Sequence, residues 1–138
     1  MLCAHAGIRG VDAVIPATVF GVMAAGALGA WTRYLVGLAM QRPSAAFPWS
    51  TLCINLSGCV LIAIAAGLAG RMPGLAPFLE KDVATGFIGA YTTFSTFTVE
   101  TLQLARARPG AAALYAAGSI AAGAGGIALG RWIGGRPF

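Results

Sequence analysis

Long stretches without a charged residue constrain the fold of this chain more than any other feature. Residues 13–32 contain no charge, and three further apolar runs follow. A helix that crosses a bilayer needs about 20 mainly apolar residues. We therefore predict an all-α membrane protein with four transmembrane helices and short loops. The predicted helices cover approximately residues 13–32, 50–70, 81–104 and 112–132.

The composition agrees with this class. Of 138 residues, 58% are hydrophobic and 9% are charged, and the mean hydropathy is +0.80. A soluble domain would carry about 25% charged residues. We expect one domain over residues 1–138, with residues 1–12 as a short polar tail. The first run exceeds the roughly 7–15 apolar residues of a signal peptide, so it is retained as a mature helix.

Several function classes find little support. The net charge of +5 comes from basic residues scattered at the ends of apolar runs, which argues against nucleic acid as a partner. Cys53 and Cys59 lie in an apolar run at a spacing unsuited to one helical face, so a metal site or disulfide is not expected. His5 is the only histidine and lies outside the spans. We predict that the chain is not an enzyme.

Flanking charge gives no clear orientation. Four spans alternate the loops between two sides of the membrane, and the basic residues divide five against four: Arg9, Arg71, Lys81, Arg131 and Arg136 against Arg33, Arg42, Arg106 and Arg108. The positive-inside rule needs an asymmetry to select one orientation. Insertion in both orientations, and an antiparallel dimer, are therefore expected.

The third run differs from ordinary apolar sequence. Residues 91–98 contain six hydroxyl-bearing side chains, and Phe94 and Phe97 share a helical face. Glycine is weak in a helix interior, and Gly89 is followed by two β-branched threonines. We predict a break in the helix near residues 89–93. Within lipid, the freed carbonyls of such a break must face protein, water or an ion.

Asn55 lies midway along the second run, one turn after Thr51. Two interpretations of its role stay open: an interhelical hydrogen bond, or an N–H donor to a passing anion. Phe94 and Phe97 are either packing residues or ring edges that touch an anion through partial positive charge. The flanking hydroxyls of Thr93, Ser95 and Thr96 weaken the packing interpretation.

Three further polar residues lie in or near the predicted spans. Glu100 is either an interfacial charge or a carrier of protons or ions, and Arg33 is favoured as a snorkelling anchor over an anion entrance. Tyr115 places a hydroxyl near the membrane interior.

A stripe of small residues on the last helix predicts a subunit interface: Gly118, Ala122, Gly126 and Gly130.

Residues 86–100, with Thr92-Thr93-Phe94-Ser95-Thr96-Phe97 at their centre, resemble the signature of the small fluoride channels, the Fluc or CrcB family. Residues 29–34 and 49–58 resemble motifs of its first and second helices. One departure is Ala90, where many members have a second glycine.

The resemblance implies a dual-topology homodimer in the prokaryotic inner membrane, with two antiparallel fluoride pores. By motif position, it implies that Asn55 donates to fluoride and that the rings of Phe94 and Phe97 line the pores. The implied further polar lining is Ser95, Thr96 and Tyr115. Arg33 and Thr51 would lie near the pore entrance. Backbone carbonyls around Gly89 and Thr92 would hold a central sodium ion.

Two other classes compete with a channel. A small dual-topology multidrug or proton-coupled transporter also has four short helices, but it would need an ionisable group deep in the first helix, where residues 13–32 have none. A purely structural membrane subunit would not need the hydroxyl groups of the third run.

Overall fold

The computed structural model describes residues 8–40 and 47–134, and every regular element in these ranges is helical. The predicted all-α class is confirmed for this part of the chain. The elements in chain order are α1 (Ile8–Ala39), α2 (Trp49–Arg71), a π-helix (Phe78–Ile88), α3 (Gly89–Tyr91), α4 (Phe94–Ala107) and α5 (Pro109–Gly134).

Three helices within the described residues are long and apolar enough to cross a membrane: Thr18–Ala39, Trp49–Arg71 and Pro109–Ile133. The third predicted span is divided among the π-helix of 11 residues, α3 of 3 and α4 of 14. Each piece is shorter than the roughly 20 residues that a single crossing helix needs.

The predicted start of the first helix is wrong. Helix α1 begins at Ile8, five residues before the predicted start at residue 13. The physical reason is that charge limits the span in lipid but does not stop a helix from forming. Residues 1–7, 41–46 and 135–138, which include Arg42 and Arg136, lie outside the described residues.

Helix α2 packs most extensively against α5 through small residues. A Cβ atom added to Gly130 would lie 2.7 Å from the Cβ of Ala63, and one added to Gly126 would lie 3.0 Å from Leu56 Cδ1. The expectation that this stripe forms a subunit interface is therefore wrong for its C-terminal half. Small stripes permit close approach of helices, but they do not specify which helix approaches.

Helix α1 packs on the π-helix and α3, again at glycines. A Cβ added to Gly86 would lie 2.9 Å from the Val22 carbonyl oxygen, and one added to Gly29 would collide with the Phe87 carbonyl. Helix α4 packs on α5 around Tyr115, which is 1% exposed. Large apolar side chains such as Trp132 remain exposed on the outside, as a membrane-embedded surface allows.

Candidate functional site

The candidate site begins where the helix stops, between α3 and α4. Thr92 has φ −81° and ψ 160°, and Thr93 has φ −149° and ψ 116°, so both residues are extended. The sequence explains the position, because two consecutive β-branched residues follow a glycine-containing segment. Thr93 also caps the new helix, since its side-chain oxygen accepts from the Thr96 N–H at 3.2 Å.

The side-chain amide of Asn55 supplies the hydrogen bonds that the backbone lacks at this break. Its Nδ2 donates to the Thr93 carbonyl at 3.0 Å, and its Oδ1 accepts from the Thr93 N–H at 2.8 Å. One side chain of α2 therefore satisfies both backbone groups of an extended residue. An amide nitrogen carries two hydrogens, so Asn55 keeps a second N–H for another acceptor.

At the break, two backbone N–H groups donate to side chains. In a continuous helix they would donate to backbone carbonyls. An α-helix directs each N–H to the carbonyl four residues earlier. The Thr93 N–H, whose helical acceptor would be Gly89, donates to Asn55 instead. The Thr96 N–H, whose helical acceptor would be Thr92, donates to the Thr93 hydroxyl instead. The break thus withdraws helical donors from the carbonyls of Gly89 and Thr92.

A short chain of hydroxyls follows the break. Thr93 Oγ1 donates to Thr96 Oγ1 at 3.0 Å and lies 3.2 Å from Ser95 Oγ. A hydroxyl has one hydrogen, so Ser95 is the donor to Thr93. Thr96 keeps its own hydrogen for another acceptor. Ser95 and Thr96 are both exposed in the single chain.

Phe94 stands beside Asn55 with its ring uncovered. The residue is 79% exposed and lines an open cavity of about 270 Å³ together with Asn55, Gly58 and Thr93. The Phe94 and Phe97 ring centroids are 5.8 Å apart with planes at 39°. Phe97 is half-buried and packs 5.2 Å from the Tyr115 ring, so it links the break to the next polar group.

A carboxylate joins three helices one turn beyond Phe97. Glu100 of α4 accepts from the Thr51 hydroxyl at 2.9 Å and from the Tyr115 hydroxyl at 3.1 Å. Thr51 is 4% exposed and Tyr115 is 1% exposed, whereas Glu100 is half-buried. Both hydroxyl hydrogens are therefore committed to the carboxylate, which is tied to α2 and α5.

The residues predicted from sequence fall into two groups and one outlier. Those at the break are Gly89, Thr92, Asn55, Phe94, Ser95 and Thr96, and those at the carboxylate are Thr51 and Tyr115, with Phe97 between the two groups. Arg33 lies half-buried on α1 and is not among the side chains that hydrogen-bond in either group. The individual roles of all these residues in an ion path stay predictions.

Sequence reasoning missed some polar contacts. The Tyr91 hydroxyl lies 2.9 Å from Ser57 Oγ, just before the break. Ser119 Oγ is buried without a hydrogen-bond partner among the described residues. Ser119 follows Tyr115 by four positions, so its place on the same helical face was available as a signal.

No group of three or more His, Cys, Asp and Glu side chains that could hold a metal occurs in residues 8–40 and 47–134. The oxygen atoms at the break belong to hydroxyl groups, to the Asn55 amide and to backbone carbonyls. Hard cations take such ligands. The carbonyls of Gly89 and Thr92, whose helical N–H donors go elsewhere, are oxygen atoms of this kind.

Comparison with known proteins agrees with the sequence motifs. A family model described as "CrcB-like protein, Camphor Resistance (CrcB)" matches residues 20–131. A "Fluoride-specific ion channel FluC" of Acidobacterium capsulatum is 44% identical over 113 residues, which cover 80% of this chain and 90% of the relative. A protein of the same name from Novosphingobium aromaticivorans is 42% identical over 118 residues, 83% of this chain and 92% of the relative. "Fluoride-specific ion channel FluC 1" of Streptomyces avermitilis is 42% identical over 81% of this chain and 91% of its own length.

These relatives are named as ion channels, and the prediction that the chain is not an enzyme is confirmed by its family. The long apolar helices and these relatives identify a multi-pass membrane protein. The resemblance noted in the sequence motifs is likewise confirmed, since the family match covers most of the chain: this protein belongs to the CrcB family.

Proposed function

We propose that this chain forms a passive, fluoride-selective ion channel that exports fluoride across the inner membrane of a prokaryote. The observation that carries the proposal is the hydrogen-bonded break between α3 and α4, which gathers N–H and O–H donors beside the exposed ring of Phe94. The relatives named as fluoride-specific channels support the choice of anion.

The chemistry of the break suits a small anion. The second N–H of Asn55 and the hydroxyl of Thr96 can each donate to fluoride. The ring edges of Phe94 and Phe97 add partial positive charge without a full cation. A full cation at membrane depth would hold an anion too tightly for rapid passage, because conduction requires binding weak enough for release. Thr51 and Tyr115 lie next to this path and donate their hydroxyl hydrogens to Glu100, and Arg33 attracts anions at its entrance.

We propose four membrane crossings, the third made of the π-helix, α3 and α4, and an antiparallel homodimer. Ser95 and Thr96 are exposed in the single chain although they would lie at membrane depth. A second copy would cover them and complete two antiparallel pores. The near balance of flanking basic residues supports insertion in both orientations.

We also propose a structural sodium ion at the dimer axis. Its ligands are the carbonyls of Gly89 and Thr92 from both copies, whose helical donors are diverted by Asn55 and Thr93. The ion would supply positive charge near the anion paths and join the two subunits. Broken helices in membrane transporters hold sodium in this way.

The decisive experiment is fluoride efflux from liposomes that contain the purified protein, followed with a fluoride electrode. The expected result is rapid efflux that needs no proton gradient, with far slower chloride efflux. Efflux that appears only with an imposed proton gradient would favour a proton-coupled transporter. The absence of efflux in protein that is folded and dimeric would contradict the channel.

Orientation has its own test. Gly110 lies in the turn that begins α5, where an added Cβ meets open space. A Gly110→Cys variant without the natural cysteines should react with a membrane-impermeant thiol reagent from both sides of the membrane. Reaction from one side only would remove the antiparallel dimer.

A further inference from the structure

Helix α2 forms hydrogen bonds with residues on both sides of the break. After the break, Asn55 binds both backbone groups of Thr93. Before the break, Ser57 Oγ lies 2.9 Å from the hydroxyl of Tyr91, the last residue of α3. Between these two anchors, Thr92 sits over Gly58 so closely that a Cβ at Gly58 would collide with the Thr92 methyl group.

The direction of the hydrogen bond between Ser57 and Tyr91 follows from the number of hydrogens on each oxygen. Ser57 Oγ donates its single hydrogen to the Ile54 carbonyl at 3.0 Å. Tyr91 must therefore be the donor in its contact with Ser57. Tyr91 is 7% exposed and its ring stacks on Phe87 at 5.9 Å with planes at 14°. A phenylalanine at position 91 would keep the stacking and lose only the hydrogen bond.

Two anchors on one rigid helix fix the separation of the two ends of the break. Asn55 and Ser57 are two residues apart on α2, and they bind Thr93 and Tyr91, which are also two residues apart. With one anchor alone, the α3 end could shift relative to Thr93. Gly89 lies in the same short helix as Tyr91, so such a shift would move its carbonyl relative to that of Thr92.

We propose that Tyr91 is a positioning residue: its hydrogen bond to Ser57 holds the carbonyls of Gly89 and Thr92 in the geometry that binds a monovalent cation. This inference rests on the sodium ion of the proposed function. Tyr91 acts through the backbone and does not touch the ion or the anion path.

The test compares Tyr91→Phe with Tyr34→Phe, which removes the same hydroxyl from an exposed position on α1. The first measurement is the sodium concentration that gives half of the maximal thermal stabilisation of the purified dimer, with N-methylglucamine as the replacing cation. Loss of one hydrogen bond should raise this concentration about threefold to tenfold in Tyr91→Phe. Tyr34→Phe should leave it unchanged. Ser57→Ala, which removes the acceptor, should reproduce the shift.

The second measurement is fluoride efflux as a function of sodium. Tyr91→Phe should need more sodium for half-maximal efflux and reach a maximal rate within about twofold of the wild type. An unchanged sodium requirement in both assays would overturn the positioning role, as would a lower maximal rate without a shift. A wild type that sodium does not stabilise would overturn this inference together with the sodium ion. A wild type that sodium stabilises but that passes no fluoride would contradict only the channel.

Discussion

Helix α2 meets its neighbours through two interfaces that depend on different physics. Its contact with α5 is close packing, in which Gly126 and Gly130 let the backbones approach. Its contact with the break is polar, and Asn55 and Ser57 supply hydrogen bonds to Thr93 and Tyr91. The packed interface fails when atoms are added, and the polar one fails when a donor is lost. Stability and conduction should therefore be separable by mutation.

The largest effect is expected from Asn55→Asp at the polar interface. The change removes the donor to the Thr93 carbonyl and places a carboxylate beside that oxygen and beside the anion path. Asn55 is half-buried beside an open cavity, and two like charges about 4 Å apart repel by about 4 kcal/mol at an effective dielectric constant of about 20, so fluoride efflux should fall at least about a hundredfold. Liposome efflux measures this, and size-exclusion chromatography checks that the variant remains dimeric. Efflux at the wild-type rate would refute the role of Asn55.

Phe94→Ile should have the next largest effect. The residue is 79% exposed, so the single chain loses little packing, but one ring edge disappears from the cavity. Because ring interactions contribute about 0.5–1.5 kcal/mol, efflux should fall by up to about tenfold. Leu102→Ile changes another exposed apolar residue of α4 and serves as the control. Equal efflux from the two variants would remove Phe94 from the path.

Gly130→Ala tests the packed interface. Its new methyl group must displace Val60 or Ala63, and such overpacking typically costs about 1–3 kcal/mol. We expect a lower midpoint of thermal unfolding and unchanged efflux per folded channel. Gly125→Ala is the matched control, because an added Cβ there meets nothing within 4 Å. If both variants unfold at the same temperature, α2 and α5 do not depend on this close approach.

The smallest effect concerns the Glu100 cluster. Thr51→Val and Tyr115→Phe each remove one hydroxyl donor to the carboxylate, at a cost of about 1 kcal/mol of unfolding free energy. The two hydroxyls share one acceptor group, so the double variant should depart from additivity by at least about 0.5 kcal/mol. A double-mutant cycle of unfolding measures the coupling. Strict additivity would mean that the two hydroxyls act independently.

Local chemistry accounts for what the sequence could predict. Hydropathy was enough for the helical class, and the weak helix formers near residues 89–93 lie where Thr92 and Thr93 are extended. Hydropathy also misplaced the start of α1, because a charged residue ends a membrane span without ending a helix. These properties depend on residues within a few positions of one another.

Contacts between distant residues were beyond such reasoning. The two readings of Asn55 could not be separated, since its contact with Thr93 spans 38 residues and depends on how α2 is rotated about its axis. The same holds for Glu100, whose partners come from two other helices. The stripe on α5 indicated close approach, but only the fold identifies α2 as the neighbour of Gly126 and Gly130.

The separation of 38 residues between Asn55 and Thr93 also bears on how the chain is made. Translation proceeds from the N-terminus to the C-terminus, so α2 is synthesised before the break. The interrupted segment carries backbone groups that a bilayer cannot satisfy, and each one costs several kcal/mol in hydrocarbon. Helix α2, which carries Asn55, is therefore available to hydrogen-bond the interrupted segment as soon as that segment enters the membrane.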